Sequence, residues 1–231
     1  MDKTILQLLA GDNPKRAQEF VLTLEEQRTA SWADAHRQAS LKAASKGHVS
    51  HFRGQLRHQL GETALLEASQ IAGLGCLPFR TVKPGGIFMV ARIGRFGLVS
   101  LSVPKKRAMP RFSWTRRLLS EPNEDLDPQE KLRLVEKSPS RGATELAYFG
   151  CIVALPWRKD PSVPAEIALA VPNARLTDWL AWIPLTGLHA ALQDLVDDIG
   201  VGDTWAAKPI VDRRLPTFRL PKEEDGAKSS G

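Results

Sequence analysis

Apolar residues recur at helical intervals over residues 15–72, whereas after residue 75 they gather into short runs bounded by Gly and Pro. The chain therefore reads as helices first and strands second. Asp12-Asn13-Pro14 marks a helix start, since Asp or Asn accepts hydrogen bonds from free first-turn N–H groups and Pro suits that turn. Residues 15–46 follow as helix, with Phe20, Val21 and Leu24 on one stripe and Trp32, Ala35 and Ala39 on a second; Thr29-Ala30-Ser31 marks a break between two helices. Gly47 is read as the stop, and Ser50 as the cap of a further helix reaching about Ala72. Phe52, Leu56, Leu60, Ala64 and Ala68 recur every fourth residue and define its buried face. Gly54 and Gly61 weaken that helix, so close packing is expected at both.

Residues 87–91 and 97–103 predict two strands, and Gly94-Arg95 predicts the tight hairpin turn between them. Residues 146–155 and 165–171 predict two more, paired through the Pro-rich turn 156–164. An amphipathic segment with Leu176, Trp179, Leu180 and Ile183 inward precedes a helix over about 187–196. The polar stretch 121–141 is a mobile excursion or carries one short helix over 128–136. The expected fold class is α+β: N-terminal helices, then a mainly antiparallel sheet with C-terminal helices. A helical half over 1–75 and a sheet-containing half over 76–221 are expected to pack as one domain, with a disordered tail at 222–231.

Composition narrows the class. Runs such as Ile87–Val90 and Cys151–Leu155 are far below the ~18 residues that span a bilayer, and the start MDKTILQLLAGDNPKR lacks a secretory pattern. Only Cys76 and Cys151 are present, both in apolar surroundings, which suits buried thiols in a reducing compartment. A cytoplasmic protein without membrane contact is expected. The 32 Lys and Arg against 26 Asp and Glu give a net +6, which favours an acidic partner.

The densest charge lies at Lys105, Lys106, Arg107, Arg111, Arg116 and Arg117, interleaved with Phe112 and Trp114 and free of acids. Cations neutralise phosphates and flat rings stack on bases, so the segment 105–117 is the candidate for binding nucleic acid, DNA included. A solvated loop with its aromatics turned inward accounts for the same residues. His51, Gln55, His58 and Glu62 form a polar stripe on the third helix; His58 and Glu62 are spaced for a shared metal, but no partner motif completes a site. The stripe reads as hydrogen-bonded surface, and neither metal nor cofactor is expected. No P-loop, nucleophile elbow, G-x-G-x-x-G or carboxylate cluster on the strands is found, so the chain is expected not to be an enzyme. Segments of the form Gln-x-x-aliphatic dock a glutamine amide and apolar side chains in a partner groove, as on the bacterial sliding clamp. Gln38 with Leu41 fits best; Gln18 with Val21 and Leu22, and Gln55 with Leu60, fit more weakly.

The run SKGHVSHFRGQLRHQLGETALLEA, followed by PGGIFMVARIGRFGLVSLSV, is similar to the SocB-type replication-inhibiting toxins of Panacea-linked toxin–antitoxin systems. The resemblance implies a non-enzymatic toxin that occupies the DNA polymerase sliding clamp and competes with replication proteins. It also implies a cognate antitoxin and the ClpXP protease as partners.

Overall fold

A computed structural model describes residues 3–43, 45–81, 86–127 and 148–198. The elements are α1 (Lys3–Ala10), α2 (Pro14–Lys42), α3 (Lys46–Ile71), β1 (Cys76–Arg80), β2 (Ile87–Ile93), β3 (Phe96–Ser102), α4 (Trp114–Ser120), the 3-10 turn η1 (Glu121–Leu126), β4 (Tyr148–Pro156), β5 (Pro164–Pro172), β6 (Trp179–Pro184) and α5 (Leu185–Asp198). The predicted tail and the predicted helix at 128–136 lie outside the described residues.

The six strands lie in sequence order, β1 to β6, in one sheet. Every neighbouring pair is antiparallel except β3 and β4, which run parallel. A parallel pair needs a crossover, and α4 and η1 form its described part. One sheet face, carrying Phe96, Leu98, Ile152, Leu169 and Val171, is buried with Leu6 of α1, Phe20 and Leu24 of α2, Leu65 of α3 and Leu188 of α5. The other carries Val99, Phe149, Cys151, Val153 and Trp179 and packs on Ala108, Met109 and Leu119 from the crossover. Cover on both faces explains why β4 reads as an unbroken apolar run, with Phe149 to Leu155 all buried.

Local chemistry sets the boundaries. Asn13 Oδ1 accepts from Arg16 N at 3.1 Å, with Pro14 in the first turn, so α2 starts where the sequence predicts. The break expected at Thr29-Ala30-Ser31 does not occur. Thr29 Oγ1 donates to Glu25 O at 2.8 Å and Ser31 Oγ to Arg28 O at 2.9 Å, so both hydroxyls are satisfied on the helix itself. The stop is Ala43, which turns extended (ψ 132°), while Gly47 sits inside α3. Trp179 and Ile183 are buried as expected, but on strand β6; a turn with Leu176 in the left-handed region (φ 58°) precedes it.

α1, not foreseen from the short N-terminal apolar run, buries Ile5, Leu6, Leu9 and Ala10 and docks on the predicted hairpin turn. Gly94 adopts φ 50° there, and a Cβ on it would lie 2.2 Å from Leu8 O. Arg95 N donates to the same carbonyl at 2.9 Å, satisfying the C-terminal end of α1.

Past Trp32, the apolar side chains of the α2–α3 pair form a separate cluster of their own: Ala35, Ala39 and Leu56, with Val49, Phe52 and Leu60 against them. This half of the pair is a helical arm rooted at the sheet. Of the two helix glycines, Gly61 is closely packed and Gly54 is not: a Cβ on Gly61 would lie 2.1 Å from Arg28 Nη1 and 2.7 Å from Ser100 Oγ, whereas one on Gly54 meets nothing within 4 Å. Opposite outcomes follow for the same substitution. Gly54→Ala should stabilise by about 1 kcal/mol through helix propensity, and Gly61→Ala should destabilise by about 1–3 kcal/mol through overpacking, both read from urea midpoints. In an Arg28→Ala background the Gly61→Ala cost should shrink, because the guanidinium atoms are gone and only Ser100 Oγ still meets the added Cβ.

Candidate binding surfaces

At the root of the arm, Arg28 is 1% exposed. Its Nη1 donates to Arg57 O at 3.0 Å and its Nη2 to Ser102 Oγ at 3.2 Å and Leu101 O at 3.4 Å, tying α2 to α3 and β3. Arg57 lies 3.6 Å above the buried Trp32 ring and donates to Pro161 O at 2.6 Å. Burial lowers both guanidinium pKa values to about 10, so both stay charged at neutral pH. Delocalised charge, carbonyl acceptors and an aromatic face make arginine tolerable here, where lysine would not match the geometry.

Glu62 departs from the expected surface stripe. Its side chain is only 13% exposed and accepts a hydrogen bond from Met89 N on β2. Burial raises its pKa to about 7, against the opposing pull of that hydrogen bond and of Arg28. His58, 3.9 Å away, is pushed below its usual value by burial and by the charges of Arg28 and Arg116. His51 and Gln55 are exposed, as expected for a surface stripe. Among the described residues no group of three or more His, Cys, Asp or Glu is placed to hold a metal. Cys76 and Cys151 are free thiols, and burial pushes Cys151 up to about 12, leaving it inert.

The glutamine-led segments all lie on helices. Gln38, half-buried on α2, donates to Asp34 Oδ2 at 2.6 Å, and Leu41 one turn on is 77% exposed. Gln18 bonds Gln193 on α5; Val21 is core, at 2% exposed, and Leu22 is 44% exposed. Gln55 is exposed, while Leu60 packs into the arm's own cluster.

Residues 104–120 cross the sheet face away from the helices. The aromatic pair here turns outward, against the inward alternative: Phe112 is 61% and Trp114 60% exposed, edge to face at 5.7 Å. Lys105, Arg107 and Arg111 are exposed on the same segment. Lys106 pairs with Glu166 at 2.8 Å, and Arg117 turns toward a small pocket shared with Glu121, Glu124, Asp127 and Arg175. Ser113 Oγ accepts from Arg116 N at 3.2 Å to start α4, and Arg116 Nη1 donates to Arg111 O at 2.8 Å, bracketing both rings. Downstream, buried Asn123 donates to Phe149 O at 2.8 Å and Pro172 O at 2.7 Å and accepts from Phe149 N at 2.8 Å. The segment is thus an anchored strap. The sequence reading missed Trp157, 45% exposed beside exposed Arg158 and Lys159. They leave β4 at the sheet end where Lys105 follows the parallel β3, an adjacency that only strand pairing reveals.

No helix among the described residues is long and apolar enough to cross a membrane. No protein-family profile, curated protein or solved structure matches the chain.

The raised Glu62 pKa gives a signed prediction. Between about pH 4.5 and pH 7 the native state holds a proton that the unfolded chain releases, so the Glu62 contribution to stability falls as pH rises through that window. The loss should reach roughly 2 kcal/mol after allowance for solvent screening. His58 acts the opposite way just below pH 6.5, so the difference between proteins isolates Glu62. Glu62→Gln, which keeps an acceptor for Met89 N, should be the more stable protein at pH 8 and lose that advantage near pH 5, measured by urea unfolding at both.

Proposed function

We propose that this protein is a non-enzymatic inhibitor of DNA replication that fills the groove of the sliding clamp and excludes the replication proteins needing it. The observation that carries this reading is Leu41, 77% exposed near the end of α2 and three residues after Gln38. Grooves that read Gln-x-x-aliphatic segments take them extended, and here the chain becomes extended at Ala43. Release of residues 38–42 therefore unwinds only the last turn, the part of a helix that opens at least cost. The similarity to SocB-type toxins supports the same partner and brings the cognate antitoxin and ClpXP into the reading. The net +6 charge favours encounter with an acidic clamp surface.

The test is titration of the full chain against purified, nuclease-treated clamp by surface plasmon resonance. The paired Gln38→Ala and Leu41→Ala substitutions should weaken binding at least tenfold, the scale of an anchor residue, with an unchanged circular dichroism spectrum. Clamp binding unaffected by these changes and also by Gln18→Ala and Gln55→Ala, or no clamp binding at all, would overturn the proposal.

A further inference from the structure

We propose that the strap carrying Phe112 and Trp114 is a platform for single-stranded nucleic acid, independent of the clamp-binding segment. Three observations converge on that ligand. Two large aromatic side chains stand about 60% exposed side by side, at a site where packing would ordinarily hide them. Their edge-to-face arrangement at 75° leaves the rings in different planes, which suits successive unstacked bases better than the edge of a duplex. Lys105, Arg107 and Arg111, just before the rings in the chain, add exposed positive charge to the same segment, while Glu166, which meets this segment from β5, is engaged by Lys106 at 2.8 Å and by Trp182 Nε1 at 2.5 Å.

Anchoring makes the platform pre-organised. Ala108 and Met109 pack on the sheet on one side of the rings and Leu119 on the other, and the Arg116 to Arg111 bond closes the stretch between. Binding orders little that is not already ordered, so stacking and phosphate contacts go into affinity. The rings supply stacking without base identity, so weak sequence preference is expected.

The experiment is fluorescence anisotropy of a labelled twenty-residue oligothymidine with the full chain, over a series of salt concentrations. Binding should weaken with salt at a log–log slope of about −2, as three neutralised phosphates give. Phe112→Ala and Trp114→Ala should each weaken binding about tenfold with little change in that slope, while Arg107→Ala with Arg111→Ala should flatten it. Clamp affinity should be unaltered in all four substitutions, which separates this platform from the Gln38 segment. Undetectable oligonucleotide binding at 50 mM salt, or binding that the ring substitutions leave intact, would overturn the proposal. So would a clear preference for the matching duplex, or ring-dependent binding to phosphatidylserine vesicles in place of the oligonucleotide.

Discussion

A charged arginine inside a helix–sheet interface is the constraint on which this architecture turns. Removing a guanidinium from water is costly unless its donors meet acceptors and its charge is shared. Both terminal nitrogens of Arg28 find acceptors, though its Nε does not, and they do so only when three elements are in register, because those acceptors are Arg57 O on α3 and Leu101 O and Ser102 Oγ at the end of β3. Gly61 supplies the space: even a methyl group there would come within 2.1 Å of Nη1. A slide of α3 by one residue in either direction would press Leu60 or Glu62 into that space. The cluster therefore specifies the pairing of α2 with α3 in a way that interchangeable Ala and Leu contacts along the two helices do not.

Two consequences reach the surface. Beyond Arg28 the helices pack on each other through Ala35, Ala39 and Leu56, so the arm owes its direction to the arginine cluster at its root. Arg57 extends that root to the loop after β4 through Pro161 O, near the point where Trp157, Arg158 and Lys159 emerge. On the other sheet face Asn123 plays a comparable part, with one amide side chain bridging the start of β4 and the end of β5. Both candidate surfaces thus rest on buried polar side chains that bond backbone carbonyls across elements. Apolar packing supplies most of the energy, and the polar residues choose the geometry.

Much of the fold was legible because its signals are local. The Asn13-Pro14 start, the four-residue spacing from Phe52 to Ala68, the Gly94 turn and the paired apolar runs of β4 and β5 all express short-range rules, and the structure bears them out. What escaped depends on tertiary contacts. Thr29 and Ser31 look like breakers until their hydroxyls are seen to bond back to the helix. β1 carries Pro78 and is half-exposed at the sheet edge, so its strand character comes from pairing with β2. Glu62 belongs by spacing to a polar stripe, and only the approach of Met89 N makes it a buried carboxyl. For the basic segment, the residue types were visible but the direction of the rings was not, since Phe112 and Trp114 would read the same facing inward.

The position of each glutamine-led segment within its helix ranks the three as partner ligands more sharply than their match to a pattern. A segment read in extended form must leave its helix, and the cost depends on what leaves with it. At Gln38 to Leu41 only Ala39 is a core residue; it contributes a single methyl group to the arm's cluster, and the backbone bond from Ala43 N to Ala39 O is the last of the helix. At Gln18, extraction would pull Phe20 and Val21, at 0% and 2% exposed, out of the main core. Burial of such side chains is worth about 1.5–3 kcal/mol each, and that cost is subtracted directly from whatever affinity the motif returns. At Gln55, Leu56 and Arg57 would leave together, breaking the stack on Trp32 and the bond to Pro161 O. Helix-end location therefore separates a segment able to serve as a ligand from two whose residues are committed to the fold.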